Sequence, residues 1–198
     1  MKKDLPVFEL KISEELDNNS EVNFVALVDK PAIQRDFLTF NDKTLFAVDD
    51  EEMHIVTGPA MIPDSLIYRK DNNGEYYVVF GAQTINQIAH KFFQKGYQAN
   101  INIMHKQDAV VTDSVFYESW LVDREKGKMP LKGFEDLPDG TWFLTAKINN
   151  EDTWQKIKSG EYKGFSVEGL FDYSPTDNAT PEQKLLNQII DILNSINA

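Results

Sequence analysis

Residues 162–171 read YKGFSVEGLF, a short run in which aromatic and β-branched residues surround a single serine, Ser166. Glycines stand on both sides of the serine, at Gly164 and Gly169. Glycine weakens the interior of a strand and usually marks a bulge or the close approach of another backbone. The run therefore predicts a strand in which Ser166 is either a nucleophile, with room kept for a substrate chain, or an ordinary serine at a bend.

Two helices are predicted upstream of this strand. TINQIAHKFFQKG (84–96) places its apolar residues at helical spacing. Thr84 and Gln87 predict a capping box at its start, and Gly96 predicts its end. NNEDTWQKIKSG (149–160) predicts a second, shorter helix that ends at Gly160.

The remaining segments favour strands. DNNG (71–74) predicts a tight hairpin between LIYRK and EYYVVFG. Further strand patterns are EVNFVALVDKPAI (21–33, a strand and a turn), MHIVTGPAMIP (53–63, two strands around a Gly-Pro turn), ANINIMHKQDAVV (99–111, one strand), DSVFYESWLVD (113–123) and TWFLTAKI (141–148). Because strands and helices do not alternate one by one, the pattern predicts an α+β fold on an antiparallel sheet or small barrel.

The end of the chain departs from this pattern. We predict one domain over residues 1–173, a polar linker at 174–180 and an amphipathic helix at 181–198. A lone helix of this length is marginal in water unless it packs on a surface. It either folds back onto the core or docks on a partner, such as a second copy of the chain.

The composition narrows the classes of function. The net charge of −12 and the pI near 4.6 argue against nucleic-acid binding by bulk electrostatics. The absence of cysteine excludes disulfides, thiolate metal sites and cysteine nucleophiles. The first residues lack the apolar run of a signal peptide, and no apolar segment approaches the ~20 residues that cross a bilayer. We therefore expect an intracellular protein without a membrane partner.

A serine nucleophile needs a general base, usually a histidine. The chain has three. His90 lies on the polar side of the first predicted helix and is expected at the surface. His54 follows the acid run 49–52 and is expected to be structural. His105 ends the run INIMH and shares parity with its two isoleucines, which predicts a place at the margin of a buried face, where a base can be tuned.

Three carboxylates are candidates for the group that orients His105. Glu118 is favoured because it shares strand parity with apolar neighbours, although it could equally belong to a structural ion pair. Asp123, at the strand end, is the reserve. Glu168 is a third option, since it lies two residues from Ser166 on the same face. A metal-dependent hydrolase built from His105, His54 and the acid run lacks any regular ligand spacing.

The order of the motifs carries a resemblance. VALVDKPAI, GPAMIPDSLIYR, NIMHK, YESWLVD and finally GTWFLTAKI with DTWQKIKSGEYKGFSVEGLF follow one another between residues 20 and 173. This ordered set resembles the prohead, or capsid maturation, serine proteases of tailed phages. It is most similar to the branch found in phages and phage-like elements of Gram-positive bacteria.

The resemblance implies a fold similar to the herpesvirus assembly protease, a small and mainly antiparallel β-barrel flanked by helices. It implies a serine endopeptidase domain at 1–173 with Ser166 as nucleophile, His105 as base and no metal or other cofactor. No histidine follows His105, so the third group would be a carboxylate, Glu118 with Asp123 in reserve. Gly164 and Gly169 would clear space for a substrate strand.

The resemblance also implies a place of action. Such proteases act inside the procapsid, in the cytoplasm of the bacterial host, where they cut scaffolding protein or a capsid-protein extension and themselves. Expected partners are therefore the phage scaffolding protein and the major capsid protein, and a second copy through the C-terminal helix. The alternative is a catalytically inactive phage capsid or tail assembly protein with a related barrel.

Overall fold

The structure is a computed structural model that describes residues 5–31, 47–72 and 74–175. Within these ranges the chain forms twelve strands and two α-helices. In chain order they are β1 (Val7–Lys11), β2 (Glu21–Val28), β3 (Ala47–Asp50), β4 (Ile55–Met61), β5 (Ile67–Asp71), β6 (Gly74–Val79), α1 (Ala82–Gln94), β7 (Ile101–Ile103), β8 (Lys106–Val110), β9 (Ser114–Leu121), β10 (Trp142–Ile148), α2 (Glu151–Lys158), β11 (Gly164–Leu170) and β12 (Asp172–Pro175).

The strands form three sheets of four, in the orders β12-β1-β6-β5, β3-β4-β10-β9 and β11-β2-β7-β8. Only the pairings β1–β6 and β2–β7 are parallel, and the other seven are antiparallel. The small, mainly antiparallel α+β fold is thus confirmed. In the described part of the chain the sheets are not closed into a barrel, so the predicted herpesvirus-like barrel is not confirmed.

Helix α1 packs an apolar stripe against the main core, as its spacing predicts. It ends as predicted, with Gly96 in the left-handed region at φ 75°. Its predicted start is wrong. The helix begins at Ala82 with Gly81 at the N-cap, so Thr84 lies inside the first turn and is buried instead of capping it. No helix of the described ranges is long and apolar enough to cross a membrane.

Two local predictions from turn and cap chemistry are confirmed. The hairpin at 71–74 joins β5 to β6, with Asp71 opposite Gly74. Helix α2 begins where Asn150 accepts a hydrogen bond from the backbone N–H of Thr153 at 3.0 Å, and Gly160 follows its end at φ 74°.

The predicted Gly-Pro turn in 53–63 is wrong, because the segment continues as the single strand β4. Pro59 lacks an N–H and therefore cannot donate a ladder hydrogen bond to a neighbouring strand. It lies beyond the part of β4 that pairs with β3, and its pairing with β10 passes through a register shift next to Trp142. A strand edge and an irregular register are where a sheet tolerates proline.

The run 162–171 contains β11, and the residues that follow it form β12 in a different sheet. β11 pairs with β2, the chain bends at Phe171, and β12 pairs with β1. β12 ends at Pro175, so it includes the first two residues of the predicted linker. The rest of that linker and the helix predicted at 181–198 lie outside the described residues.

A buried ammonium group holds the connection between β1 and β2. Lys91 of α1 is 2% exposed, and its Nζ donates to four backbone carbonyl oxygens at 2.7–3.1 Å. These belong to Ser13, Glu15, Asn18 and Ser20. Burying a charge is tolerated only when its hydrogen bonds are satisfied. The contacts fix the loop that enters β2, the neighbour of the Ser166 strand.

Candidate active site

The segment 99–111 is a hairpin and not the single strand predicted. It reverses at Met104 and His105, which both have positive φ, 54° and 58°. A two-residue turn with both φ values positive normally carries Asn-Gly or a similar pair. Because neither residue is a turn former, the sequence carries no signal for this reversal. The strand parity that linked His105 to Ile101 and Ile103 therefore does not apply.

The turn is strained and anchored. A bulky residue in the left-handed region costs about 1–2 kcal/mol. The backbone N–H of Met104 donates to the carbonyl oxygen of Leu27 in β2 at 3.0 Å, which ties the turn to its neighbouring strand. Strain of this kind is typical of sites where a side chain must be held in one direction. Here that side chain is His105.

The imidazole of His105 bridges two residues of β11. Its Nε2 lies 3.1 Å from Oγ of Ser166, and its Nδ1 lies 3.3 Å from Oε2 of Glu168. Ser166 is 7% exposed, whereas the side chain of His105 is 41% exposed. Glu168 Oε2 also accepts a hydrogen bond from Nδ2 of Asn102 at 3.0 Å. The structure thus brings together a hydroxyl, an imidazole and a carboxylate.

A β-bulge follows Glu168 in the pairing of β11 with β2. Ser166 and Glu168 are two residues apart and project from the same face of the strand. At the bulge, Gly169 lies so close to β2 that an added Cβ would be 1.9 Å from the carbonyl oxygen of Glu21. Gly169 borders the cleft at Ser166, but its missing side chain makes room for β2 and not for a substrate. Gly164 is buried in β11, opposite Val28 of β2.

We expect Gly169→Ala to lower the free energy of unfolding by about 1–3 kcal/mol, because β11 and β2 must move apart to admit the methyl group. Chemical denaturation measures this change. Gly81→Ala is the matched control. Its new Cβ would meet only the flexible end of the Glu9 side chain, at 3.0 Å, and the loss should stay under about 1 kcal/mol. Equal losses in the two variants would contradict the close approach at Gly169.

Glu118 does not lie beside His105. A register shift in the β9–β10 pairing leaves Tyr117 as an extra residue, so Phe116 is buried while Glu118 is exposed. Its Oε2 accepts a hydrogen bond from the hydroxyl of Thr145 at 2.8 Å. Both ring nitrogens of His105 already have partners on β11, in another sheet. The parity argument for Glu118 is therefore wrong.

Asp123 is likewise occupied elsewhere. It precedes a short 3₁₀ turn, and its carboxylate accepts hydrogen bonds from the backbone N–H and the ammonium of Lys126. The side-chain hydrogen bond from Lys126 is the main reason that the pKa of Asp123 lies below its usual value. The reserve candidate acts as a local cap.

The two other histidines do not contact Ser166. His90 is on the exposed face of α1, as predicted. His54 stacks on Trp154 with ring centroids 4.8 Å apart, and its Nδ1 lies 3.2 Å from the carbonyl oxygen of Ile148. Across 5–31, 47–72 and 74–175, no group of three or more His, Asp or Glu residues is arranged to hold a metal ion.

A cleft of about 490 Å³ opens over His105, Ser166 and Glu168. Its walls also include Leu10, Val28, Arg69, Met104, Phe171 and Tyr173. A separate, enclosed space of about 30 Å³ lies against Ser166, among apolar side chains and Arg69. That space is large enough for about one water molecule. Asp29 and Lys30 also line the cleft, so the three side chains lie in an open groove with both charged and apolar walls.

Comparison with known proteins identifies the family. Residues 42–174, well over half of the chain, match the family described as "Putative phage serine protease XkdF". The chain belongs to this family. The matched segment contains His105, Ser166 and Glu168. The order of motifs predicted a phage serine protease family, and the description of the matched family agrees with that prediction. No solved structure matches the chain significantly.

Two curated proteins of Bacillus subtilis (strain 168) are similar to this family member. One, the uncharacterized protein YqbD, is 27% identical over 160 residues, which cover 76% of this chain and 45% of YqbD. The other is the phage-like element PBSX protein XkdF, 26% identical over 166 residues, which cover 78% of this chain and 54% of XkdF. The chain spans about half the length of these relatives.

Asn102 is a polar contact of Glu168 that no sequence pattern singled out. It is 1% exposed and lies between two isoleucines in the three-residue strand β7, next to the turn that carries His105. An amide at a buried strand position, three residues before a histidine, was the available signal. Buried polar side chains need partners, and a search for its partner leads to the active-site carboxylate.

Proposed function

We propose that the chain is a serine endopeptidase in which Ser166 is the nucleophile, His105 the general base and Glu168 the residue that orients the base. One observation carries the proposal: both ring nitrogens of His105 are engaged, Nε2 with Ser166 and Nδ1 with Glu168. A nucleophile, a base and a third group in hydrogen-bond reach of one another are the recognisable pattern of nucleophilic hydrolysis.

The roles follow from the two contacts. The carboxylate of Glu168 accepts a hydrogen bond from the Nδ1–H group of His105. Nε2 then carries no proton and can accept the hydroxyl proton of Ser166. As Oγ bonds to the scissile carbonyl carbon, its proton passes to Nε2. When the carbon–nitrogen bond breaks, that proton passes to the leaving amine. Water then attacks the acyl-enzyme with His105 again as base, which restores the hydroxyl of Ser166.

Arg69 is the candidate for stabilising the oxyanion. It borders both the cleft and the small enclosed space, and Ser166 borders the same two. A guanidinium near the reacting carbonyl, or a water that it holds in the enclosed space, would offset the negative charge that develops on the oxygen. Backbone N–H groups near Ser166 are the other source of donors.

The proposed substrates are the phage scaffolding protein, an extension of the major capsid protein, and the protease itself. The support is the family together with the similarity to a protein of a phage-like element. Cleavage would then occur within the procapsid, in the cytoplasm of the bacterial host. This proposal includes a second copy of the chain as a partner through the C-terminal residues.

A fluorophosphonate tests the proposed chemistry without a known substrate. Oγ of the nucleophile forms a bond to phosphorus, fluoride leaves, and the hydroxyl proton passes to His105. We expect one stable adduct per chain, and peptide mapping by mass spectrometry should find it on Ser166. Heat-denatured protein is the control, because it has the same serines without the geometry.

Two results would contradict the proposal. An adduct on another serine, such as the half-buried Ser174 of β12, would move the nucleophile. No adduct at all, at reagent concentrations that label an ordinary serine hydrolase, would favour the inactive assembly protein.

A further inference from the structure

We propose that Asn102 is a positioning residue for the same reaction, which fixes Glu168 so that Glu168 can fix His105. The inference rests on the proposed function. Asn102 lies on β7 and is 1% exposed, and its Nδ2 donates to Glu168 Oε2 at 3.0 Å. This oxygen also lies 3.3 Å from Nδ1 of His105. One carboxylate oxygen therefore meets both the amide and the imidazole.

The orientation of the amide is determined by its neighbour. If the side chain were turned over, its carbonyl oxygen would face the carboxylate, and two acceptors would oppose each other. With Nδ2 toward Glu168, the other amide atom, Oδ1, is buried and has no hydrogen-bond partner among the described residues. Asn102 thus forms its bond to Glu168 and leaves an acceptor unsatisfied.

This arrangement is a poor way to stabilise a fold. A buried polar atom without a partner costs about as much as a hydrogen bond contributes, so Asn102 adds little net stability. An apolar residue of similar size would avoid the penalty. Buried polar groups that break the rules of packing are expected at functional positions. We explain the amide at position 102 by the hydrogen bond that its Nδ2 donates to Glu168.

The sheet explains why residue 102 can reach the site. Ser166 of β11 is opposite Ala26 of β2, and Ala26 is opposite Asn102 of β7. Side chains at paired positions share a face, so the three form a row across three strands. The middle residue is small, and it leaves open the space between the serine and the amide. Asn102 is 1% exposed and is not among the residues that line the open cleft.

Glu168 requires a hydrogen-bond partner that fixes the orientation of its carboxylate. Its side chain is 29% exposed and comes just before the register shift between β11 and β2. Among the residues that the structure describes, the carboxylate of Glu168 has hydrogen-bond contacts to Asn102 and to the imidazole of His105, so without Asn102 the imidazole that it orients would be its remaining restraint. A carboxylate that is fixed by a hydrogen bond keeps one orientation. His105 requires this, because its Nδ1 is oriented by the contact with Glu168 alone.

The test is the rate of fluorophosphonate labelling of Ser166. We expect Asn102→Leu to lower the maximal labelling rate about 10–100-fold, the size of one lost hydrogen bond to a charged group. The reagent concentration that gives half the maximal rate should not change, because Asn102 does not touch the reagent. The melting temperature should stay the same or rise, since leucine removes the unsatisfied oxygen.

A double-mutant cycle separates positioning from general damage. In a Glu168→Ala background, Asn102→Leu should change the labelling rate less than about 3-fold, because its effect passes through the missing carboxylate. Asn100→Leu is the matched control. Asn100 donates to the carbonyl oxygen of Asn23 at 2.8 Å, so its loss should lower the melting temperature and leave labelling unchanged.

The outcomes are distinct. Wild-type labelling of Ser166 together with an unimpaired Asn102→Leu variant would overturn this inference and leave the proposed function intact. Absence of wild-type labelling at Ser166 would overturn both. If Asn102→Leu does not fold, Asn102→Ala takes its place, and unfolding of both variants would overturn the inference by assigning Asn102 to stability.

Discussion

We expect Ser166→Ala to lower the turnover of the proposed substrate, a phage scaffolding protein, by about 10⁴–10⁶-fold. The substitution removes one hydroxyl that is 7% exposed and whose contact is Nε2 of His105. No large side chain is lost, so the melting temperature should change little. Gel analysis of the proposed scaffolding substrate, incubated with each variant, measures the effect.

His105→Ala should cause a loss of the same order, since nucleophile and base act as one unit and their effects do not add. His90→Ala is the matched control, because His90 lies on the exposed face of α1. It should cleave at the wild-type rate. Full activity of Ser166→Ala, or equal losses at the two histidines, would contradict the assignment.

The parts of the fold that local chemistry determines could be predicted from the sequence. The period of apolar residues predicts α1, the DNNG turn predicts the β5–β6 hairpin, and NNEDTWQKIKSG predicts α2 with its end at Gly160. Each signal depends on residues within a few positions of one another. Long-range pairing leaves no comparable trace, so the three sheets and their order could not be read from the chain.

The candidate site shows the same division. Residue type and the order of motifs selected Ser166 and His105, and the structure places them 3.1 Å apart. It places Glu168, and not Glu118, beside His105. Parity holds only while a strand is regular, and the bulge at Tyr117 reverses it just before Glu118. Glu168 was an alternative because it lies two residues from Ser166 on the same face. That parity holds in the structure because the register shift of the β11–β2 pairing comes only after Glu168.

The hairpin that carries His105 explains why the site is hard to predict. Its two turn residues have positive φ although neither is glycine, asparagine or aspartate. A pattern of turn-forming residues would have disclosed the reversal. The chain instead keeps a methionine and a histidine in a conformation that both disfavour. Residues needed for a site can be retained against local preference when the surrounding contacts hold them.

Glu168→Ala should lower turnover about 10⁴-fold, because His105 loses the group that selects its tautomer and stabilises the imidazolium. Glu168→Gln should lower it less, about 10²-fold. Asn102 and His105 both meet the same oxygen, Oε2, so the amide oxygen of glutamine can take that place and keep the tautomer while the charge is lost. Rates of scaffold cleavage at saturating substrate establish the order wild type, glutamine, alanine.

Glu118→Gln is the matched control for this series, since it makes the same chemical change on β9, where the carboxylate meets Thr145. We expect its turnover to stay within about 3-fold of wild type, as for a substitution away from the reacting groups. The two glutamine variants must be compared at equal folded fraction, which circular dichroism verifies. A loss at Glu118→Gln that equals or exceeds the loss at Glu168→Gln would return the orienting role to Glu118. It would mean that the bridge from Ser166 through His105 to Glu168 does not operate during catalysis.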